Sequence, residues 1–362
     1  MKYLPFRHLG SAFLKRAPIQ LTLFLTKRCN AKCSFCFYLS RENASANDLP
    51  ELSITEIQKI SASFGSLVWL AFSGGEIFLR DDIVEVSRIF YQQNRPSIML
   101  FPTNGLRPRL IRERIEEILK SCPKSTIVVK LSLDGPEALH DEIRGVSGCF
   151  AKTMETHALL AELLAEYDNF DLGINSVFCQ ANQDSMDALI DFVSAMDSVN
   201  THTVSLIRGE VSDNRQKEVD LDKYYQTIRK LESNLKKRFA GYYRFRGARL
   251  KAAQDILQRR LIYQTALSNR RQIPCYAGRL NLVLSETGDL YPCESFDPGM
   301  KMGNVRDSAY DIKSILQTER AGKILAAIKD QGCFCTHECY FITNILFNPA
   351  MYPALLKEFV QL

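Results

Sequence analysis

Six short apolar stretches, partly β-branched, punctuate the chain between residues 19 and 210: 19–25, 67–72, 97–101, 126–133, 171–178 and 203–207. Each reads as a buried strand, because so few apolar residues between turn signals are too short for a core helix. Between them the apolar residues recur at helical spacing. Ser53 and Glu56 form a capping-box signature at the start of one such segment. Ile83, Val86, Ile89 and Phe90 share one face of 82–94, and further helical patterns cover 109–122, 152–164 and 187–196. Strand, polar or glycine loop, then helix, repeated along this core, predicts an α/β fold. We expect a partial (β/α)6 TIM-like barrel, with polar residues gathered at the C-terminal ends of parallel strands.

The pattern changes on either side. Residues 1–18 carry Tyr3, Leu4, Phe6, Leu9, Phe13 and Leu14 among Lys2, Arg7, Lys15 and Arg16. This predicts a short amphipathic cap that closes the bottom of the barrel; peripheral contact with a membrane is the second reading. Residues 211–272 form a basic bridge of two polar helices, 222–239 and 242–271. Thirteen Lys or Arg lie between Arg229 and Arg271 against two acids, Glu232 and Asp255. A solvated helix face is the plainest account. A phosphate or acidic head group is the functional one. A nucleic-acid groove uses the same ingredients but is disfavoured. Residues 273–362 predict a small C-terminal α+β unit, with a hairpin over 278–293, a cysteine knot at 333–339 and an apolar tail that packs on the barrel or covers its mouth.

Composition narrows the classes. The 362 residues exceed one ordinary domain, and 46% hydrophobic content supports a sizeable core. No run of 18 apolar residues and no secretory signal is visible, so a cytoplasmic location is expected. A net charge of +5 is too mild to imply nucleic acid. The 11 cysteines are odd in number and fall mainly at 29–36 and 275–339, with Cys122, Cys149 and Cys179 apart. Reduced thiolates on metal fit this better than a secreted disulfide framework.

Three thiols stand within eight residues in Thr26-Lys-Arg-Cys29-Asn-Ala-Lys-Cys33-Ser-Phe-Cys36. They follow the first strand, where α/β folds place their chemistry. Thiolates this close suit one iron–sulfur cluster or one zinc. Three cysteines on a 4Fe–4S cube leave one iron open to a small molecule. Zinc wants a fourth ligand, and the next histidine is His140. Ser73-Gly74-Gly75-Glu76 follows the second strand; its glycines let backbone approach a ligand, while Glu76 adds an acceptor or orients the turn. Thr103-Asn104-Gly105 follows the third strand, Ser132-Leu-Asp134-Gly135 the fourth, and His140-Asp-Glu-Ile-Arg144-Gly comes next.

The cysteine spacing with an aromatic before the last cysteine, then Gly-Gly-Glu and the later strand-end motifs, resembles the radical S-adenosylmethionine (SAM) enzymes. Cys275, twelve residues, Gly288, four residues and Cys293 resemble their C-terminal auxiliary-cluster domains, called SPASM or, in shorter form, twitch. The full SPASM cysteine run is absent, and only Cys335 and Cys339 keep its final spacing. The resemblance covers nearly the whole chain. It implies that Cys29, Cys33 and Cys36 hold a radical-generating 4Fe–4S cluster. It implies that Phe35, Gly74, Gly75, Glu76, Asn104, Ser132, Asp134, Arg144, Asn175 and Leu206 approach SAM, with Arg144 on its carboxylate and Leu206 and Ile207 beside adenine. One auxiliary 4Fe–4S cluster would take four of Cys275, Cys293, Cys333, Cys335 and Cys339. Cys275, Cys293 and Cys339 are its expected core; Cys333 and Cys335 compete for the last place, and His337 stands in reserve.

The implied chemistry is reductive cleavage of SAM to a 5′-deoxyadenosyl radical, with flavodoxin or ferredoxin as electron donor, then hydrogen abstraction from a substrate. The basic bridge favours a small anionic metabolite such as a nucleotide, sugar or lipid precursor. A ribosomally made peptide, crosslinked or oxidised at a side chain, is the alternative, although the leader-binding domain such enzymes often carry is not visible. A non-enzymatic iron–sulfur scaffold or sensor is the third reading.

Overall fold

The computed structural model describes residues 2–15, 17–39, 49–237, 242–330 and 333–362. The polar loop expected around 39–50 and the helix end at 238–239 lie largely outside them.

The core runs β1 (Gln20–Phe24), α1 (Ile54–Ser63), β2 (Trp69–Ser73), α2 (Ile83–Asn94), β3 (Ile98–Thr103), α3 (Pro108–Ser121), β4 (Thr126–Ser132), α4 (Glu137–Arg144), α5 (Cys149–Glu166), β5 (Phe170–Phe178), α6 (Met186–Ser194) and β6 (Thr201–Leu206). Two long helices follow, α7 (Leu221–Lys236) and α8 (Ala248–Ser268). The C-terminal region holds β7 (Asn281–Leu284), β8 (Asp289–Tyr291), β9 (Gly303–Asn304), α9 (Ile312–Leu316), α10 (Glu319–Asp330), α11 (Glu338–Leu346) and α12 (Tyr352–Gln361).

The strands form one sheet in the order β6-β5-β4-β3-β2-β1-β7-β8-β9. β1 to β6 pair in parallel, as the crossover helices require. β7 also pairs in parallel with β1, and β8 and β9 return antiparallel. The C-terminal hairpin is therefore not a freestanding unit but an extension of the barrel sheet. Leu282, Val283 and Leu284 of β7 are wholly buried, which explains the attachment: two covered faces need neighbours on both sides. At α1, Ser53 N donates to Glu56 Oε2 at 2.8 Å while Ser53 Oγ accepts from Glu56 N at 3.3 Å. Arg306 Nε then reaches Glu56 Oε1 at 2.7 Å, fastening the C-terminal region to the barrel.

Three elements differ from expectation. Residues 137–144 form α4, which is not among the expected helices. It stops at Gly145, whose φ of 63° terminates the helix, and a Cβ there would sit 2.9 Å from Lys32 O of the cysteine loop. The basic bridge is a solvated face only in part: Arg229, Lys237, Arg244, Arg246, Arg249 and Arg270 are exposed, but one long side of α8 is not. Lys251, Gln254, Gln258 and Arg259 of α8 are buried along with Ala252, Ala253, Ile256 and Ile262. Lys251 pairs with Asp255, and Arg260 pairs with Glu232 and with Glu358 of α12. Just before α8, Tyr243 joins Trp69, Ile98 and Val128 in the barrel lumen. A helix packed on several sides shows no amphipathic stripe, so its composition alone could not reveal the burial. Lastly, the N-terminal segment is a 3₁₀ helix, Pro5–Ala12, with His8 and Ala12 inward.

Candidate active site

The C-terminal strand ends surround a cavity of about 230 Å³. Cys29, Cys33 and Cys36 all line it, from the loop that leaves β1. Arg144 O accepts from Lys32 N at 2.8 Å and Ile143 O from Ser34 N at 3.2 Å, so α4 shapes that loop. Backbone N–H groups also point at sulfur: Ala31 N lies 3.4 Å from Cys29 Sγ, and Leu39 N lies 3.3 Å from Cys36 Sγ. Burial pushes the Cys29 thiol up to about 11.

Gly74 and Gly75 line the same cavity. A Cβ on either would collide with the carbonyl oxygens of Thr26 or Arg28, so the turn after β2 lies directly against the cysteine loop. Gly75 N donates to Thr26 O at 2.7 Å and Glu76 N to Arg28 O at 2.9 Å. Glu76 is 3% exposed, and its carboxylate is used within the fold. It accepts from Thr103 Oγ1 at 2.9 Å, Asn104 N at 2.8 Å and Phe78 N at 3.2 Å. Burial pushes its pKa up, opposed by these three donors. Its position is that of a clamp between the loops after β2 and β3.

Asn104 Nδ2 donates to Asn30 Oδ1 at 2.8 Å, again tying a strand end to the cysteine loop. Ser132 and Asn175 sit opposite each other in the β4–β5 register, and both line the cavity with Phe35 and Leu206. Asp134 is the one expected SAM-site residue that does not line it. It is wholly buried behind Arg144, accepting from Nε at 2.6 Å and Nη2 at 2.5 Å, with Val177 N on its other oxygen at 2.8 Å. The Arg144 fork is thus occupied by Asp134. Its Nη1 lies 3.5 Å from Cys33 Sγ, and its guanidinium lies over Phe35 at 5.3 Å. His140 stands behind this pair, taking a hydrogen bond from Asp134 N; burial lowers it to about 4, so it is neutral near pH 7.

A second cavity, of about 240 Å³, is lined by Cys275, Cys293, Cys333 and Cys335. Cys339, expected as a firm member of that set, is not among its lining residues. Its thiol faces Glu294 and Arg208 instead, and burial followed by Glu294 pushes it upward. Cys339 lies in the first turn of α11, whereas Cys333 and Cys335 lie in the loop before it. Arg208, at the end of β6, belongs to the first cavity. It pairs with Glu294 at 2.7 Å and lies over Phe37 at 5.1 Å. Glu294 N donates to Tyr340 Oη at 2.6 Å, and Tyr340 lines the second cavity. Arg208, Glu294 and Tyr340 therefore form a wall between the two thiol-lined spaces. Sequence reading assigned them no role. The available signal was a charged residue directly after a barrel strand.

Both sites fit iron–sulfur clusters. Among the described residues, no three His, Cys, Asp or Glu are close enough to share a single metal ion. Thiolates that line one cavity together are the donor set an iron–sulfur cluster takes. The first set has three thiols and the second has four.

The family model described as the radical SAM superfamily matches residues 23–193, which span β1 through α6. The chain belongs to the radical SAM superfamily. A model described as an iron–sulfur cluster-binding domain, SPASM, matches residues 275–340. Radical SAM domains bind a 4Fe–4S cluster and SAM, and SPASM domains bind auxiliary clusters. The radical SAM chain is 25% identical over 299 residues to the antilisterial bacteriocin subtilosin biosynthesis protein AlbA of Bacillus subtilis (strain 168), covering 81% of this chain and 59% of that one. It is 30% identical over 159 residues to the sporulation killing factor maturation protein SkfB of the same organism, covering 43% and 36%. The matches thus span about three-fifths or less of these relatives. Among solved structures, Streptococcus suis SuiB bound to its precursor peptide SuiA superposes with a TM-score of 0.60 at 17% identity, covering 88% of this chain and 70% of that one. That likeness concerns the fold.

Proposed function

We propose that this radical SAM chain modifies a peptide, by oxidation or crosslinking of a side chain. The observation that carries the reading is the pair of thiol-lined cavities on either side of the Arg208–Glu294–Tyr340 wall. One site would generate a radical, and the other would sit beside the substrate as an electron acceptor. The names of AlbA and SkfB and the SuiA complex of SuiB support a peptide as substrate. The basic bridge, which suggested a small anionic metabolite, gives that reading little support: its helices α7 and α8 contribute no residue to the first cavity.

When bound, the first cluster and SAM supply a 5′-deoxyadenosyl radical that takes hydrogen from a substrate carbon. Cys29, Cys33 and Cys36 would hold that cluster. Gly74 and Gly75 offer backbone at close range, and Ser132 and Asn175 offer polar groups on the floor of the cavity. Arg144, braced by Asp134, fixes Cys33 and Phe35 rather than reaching across the cavity. Glu76 and Asn104 hold the loops in register. The auxiliary cluster would take Cys275, Cys293, Cys333 and Cys335. Flavodoxin or ferredoxin is the proposed electron source.

The test is anaerobic reconstitution with iron and sulfide counting, then dithionite-driven formation of 5′-deoxyadenosine. About eight irons are expected for two cubes. Replacing Cys29, Cys33 and Cys36 together by Ala removes one cube and all SAM cleavage. A protein that carries clusters but never cleaves SAM would instead be a scaffold or sensor. Mass change of a candidate precursor peptide, against none for nucleotides or sugars, separates the substrate classes.

A further inference from the structure

We propose that the face opposite the active site docks on an anionic lipid surface. The segment Pro5–Ala12 crosses the bottom of the barrel. Tyr3 N donates to Lys124 O at 2.8 Å, and Arg7 Nη2 donates to Leu67 O at 2.7 Å and to Arg95 O. Those carbonyls belong to the loops that precede β4, β2 and β3. His8 and Ala12 turn inward, but four large apolar side chains do not. Phe6 is 44% exposed, Leu9 61%, Phe13 75% and Leu14 58%. Isolated exposed apolar residues are ordinary; four within nine positions form a patch that a water-facing surface has no use for.

Charge complementarity selects the occupant. Four exposed cations lie along this segment: Arg95 and Lys124, whose carbonyls anchor it, Arg246 next to the Gly247 that Phe6 packs against, and Arg279, whose charge is felt by Lys15. None of these four makes an ion pair among the described residues. The nearby Asp168 is already taken by Lys2 at 3.3 Å. Apolar side chains ringed by unpaired cations are the pattern of an interfacial anchor: the first enter the acyl boundary and the second meet lipid phosphates. Among the described residues no helix is long and apolar enough to cross a membrane, so the proposed contact is peripheral. The geometry also leaves the chemistry free, because the cysteine loop follows β1 at the other end of the strands. A protein partner is the competing occupant, and the test separates the two.

The full chain is sedimented with vesicles of phosphatidylcholine alone and of phosphatidylcholine with phosphatidylglycerol. We expect binding to the anionic vesicles roughly tenfold stronger, lost again in high salt. Phe13→Ser with Leu14→Ser, and separately Lys124→Glu with Arg246→Glu, should each reduce it roughly tenfold while leaving SAM cleavage unchanged. Phe13→Trp should show a blue-shifted emission on the anionic vesicles, against the constant background of the buried Trp69. Equal or absent binding on both vesicle types, or no emission shift, overturns the proposal. So does loss of self-association, read by light scattering, in the Phe13→Ser, Leu14→Ser variant, which would make the face a protein interface.

Discussion

Glu76→Gln distinguishes a carboxylate that holds the loops from one that holds a ligand. In the structure both oxygens are spent inside the fold: Oε1 on Thr103 Oγ1 and Phe78 N, Oε2 on Asn104 N. Gln has nearly the same shape but exchanges one acceptor for an NH2 group. Whichever way the amide is turned, that group faces at least one N–H or O–H donor across a buried gap. A hydrogen bond to a buried charged group contributes about 1.5–3 kcal/mol, and a donor stranded without a partner costs a similar amount. We therefore expect a loss of about 3 kcal/mol, read as a lower urea midpoint of the metal-free protein with an unchanged denaturant slope. SAM affinity of the reconstituted protein should fall as well, because the strand-end loops lose their mutual alignment. Stability within about 0.5 kcal/mol of the parent, with only SAM affinity reduced, would refute the argument. The carboxylate would then face the ligand, and the three hydrogen bonds would be incidental.

Three further outcomes follow from the same geometry. Gly75→Ala forces a Cβ into Arg28 O, a backbone atom that cannot step aside, and should lower the apparent melting temperature by several degrees while abolishing cluster uptake at the first site. Cys339→Ala should keep the auxiliary iron, whereas Cys335→Ala should lose it; iron counting and electron paramagnetic resonance of the reduced protein distinguish the two, and equal loss would return Cys339 to the ligand set. Glu56, held near pH 2 chiefly by its hydrogen bond from Arg306, has a folded value below its unfolded one. Its stabilisation is therefore complete above about pH 4.5 and is lost as pH falls toward 2. Arg306→Met should flatten the acid limb of stability by about 1 kcal/mol after solvent screening of this rim pair, measured as urea midpoints between pH 5 and 2.5.

Much of the barrel was legible because its signals are local. Six apolar runs with polar ends needed no long-range information, and each became a strand within a few residues of its expected limits. The capping box at Ser53 and Glu56 was likewise a neighbour-to-neighbour feature. The cysteine spacing and the glycine turn identified the family for the same reason. The short helix α4 escaped because its eight residues carry too little periodicity to stand out, and packing against the cysteine loop stabilises it.

The chain's order of residues therefore determined the repeat of strand and helix, the three thiols after β1 and the class of chemistry those thiols serve. Tertiary structure alone decided which side chains meet. It joined β7 to β1, buried one side of the cationic helix α8, turned Arg144 onto Asp134, and brought Cys275, Cys293, Cys333 and Cys335 to one cavity. Each of these pairings links segments far apart in the chain or fixes the direction of one side chain. Neither is encoded in composition or period, and both are settled only when buried surfaces and charges find partners in three dimensions.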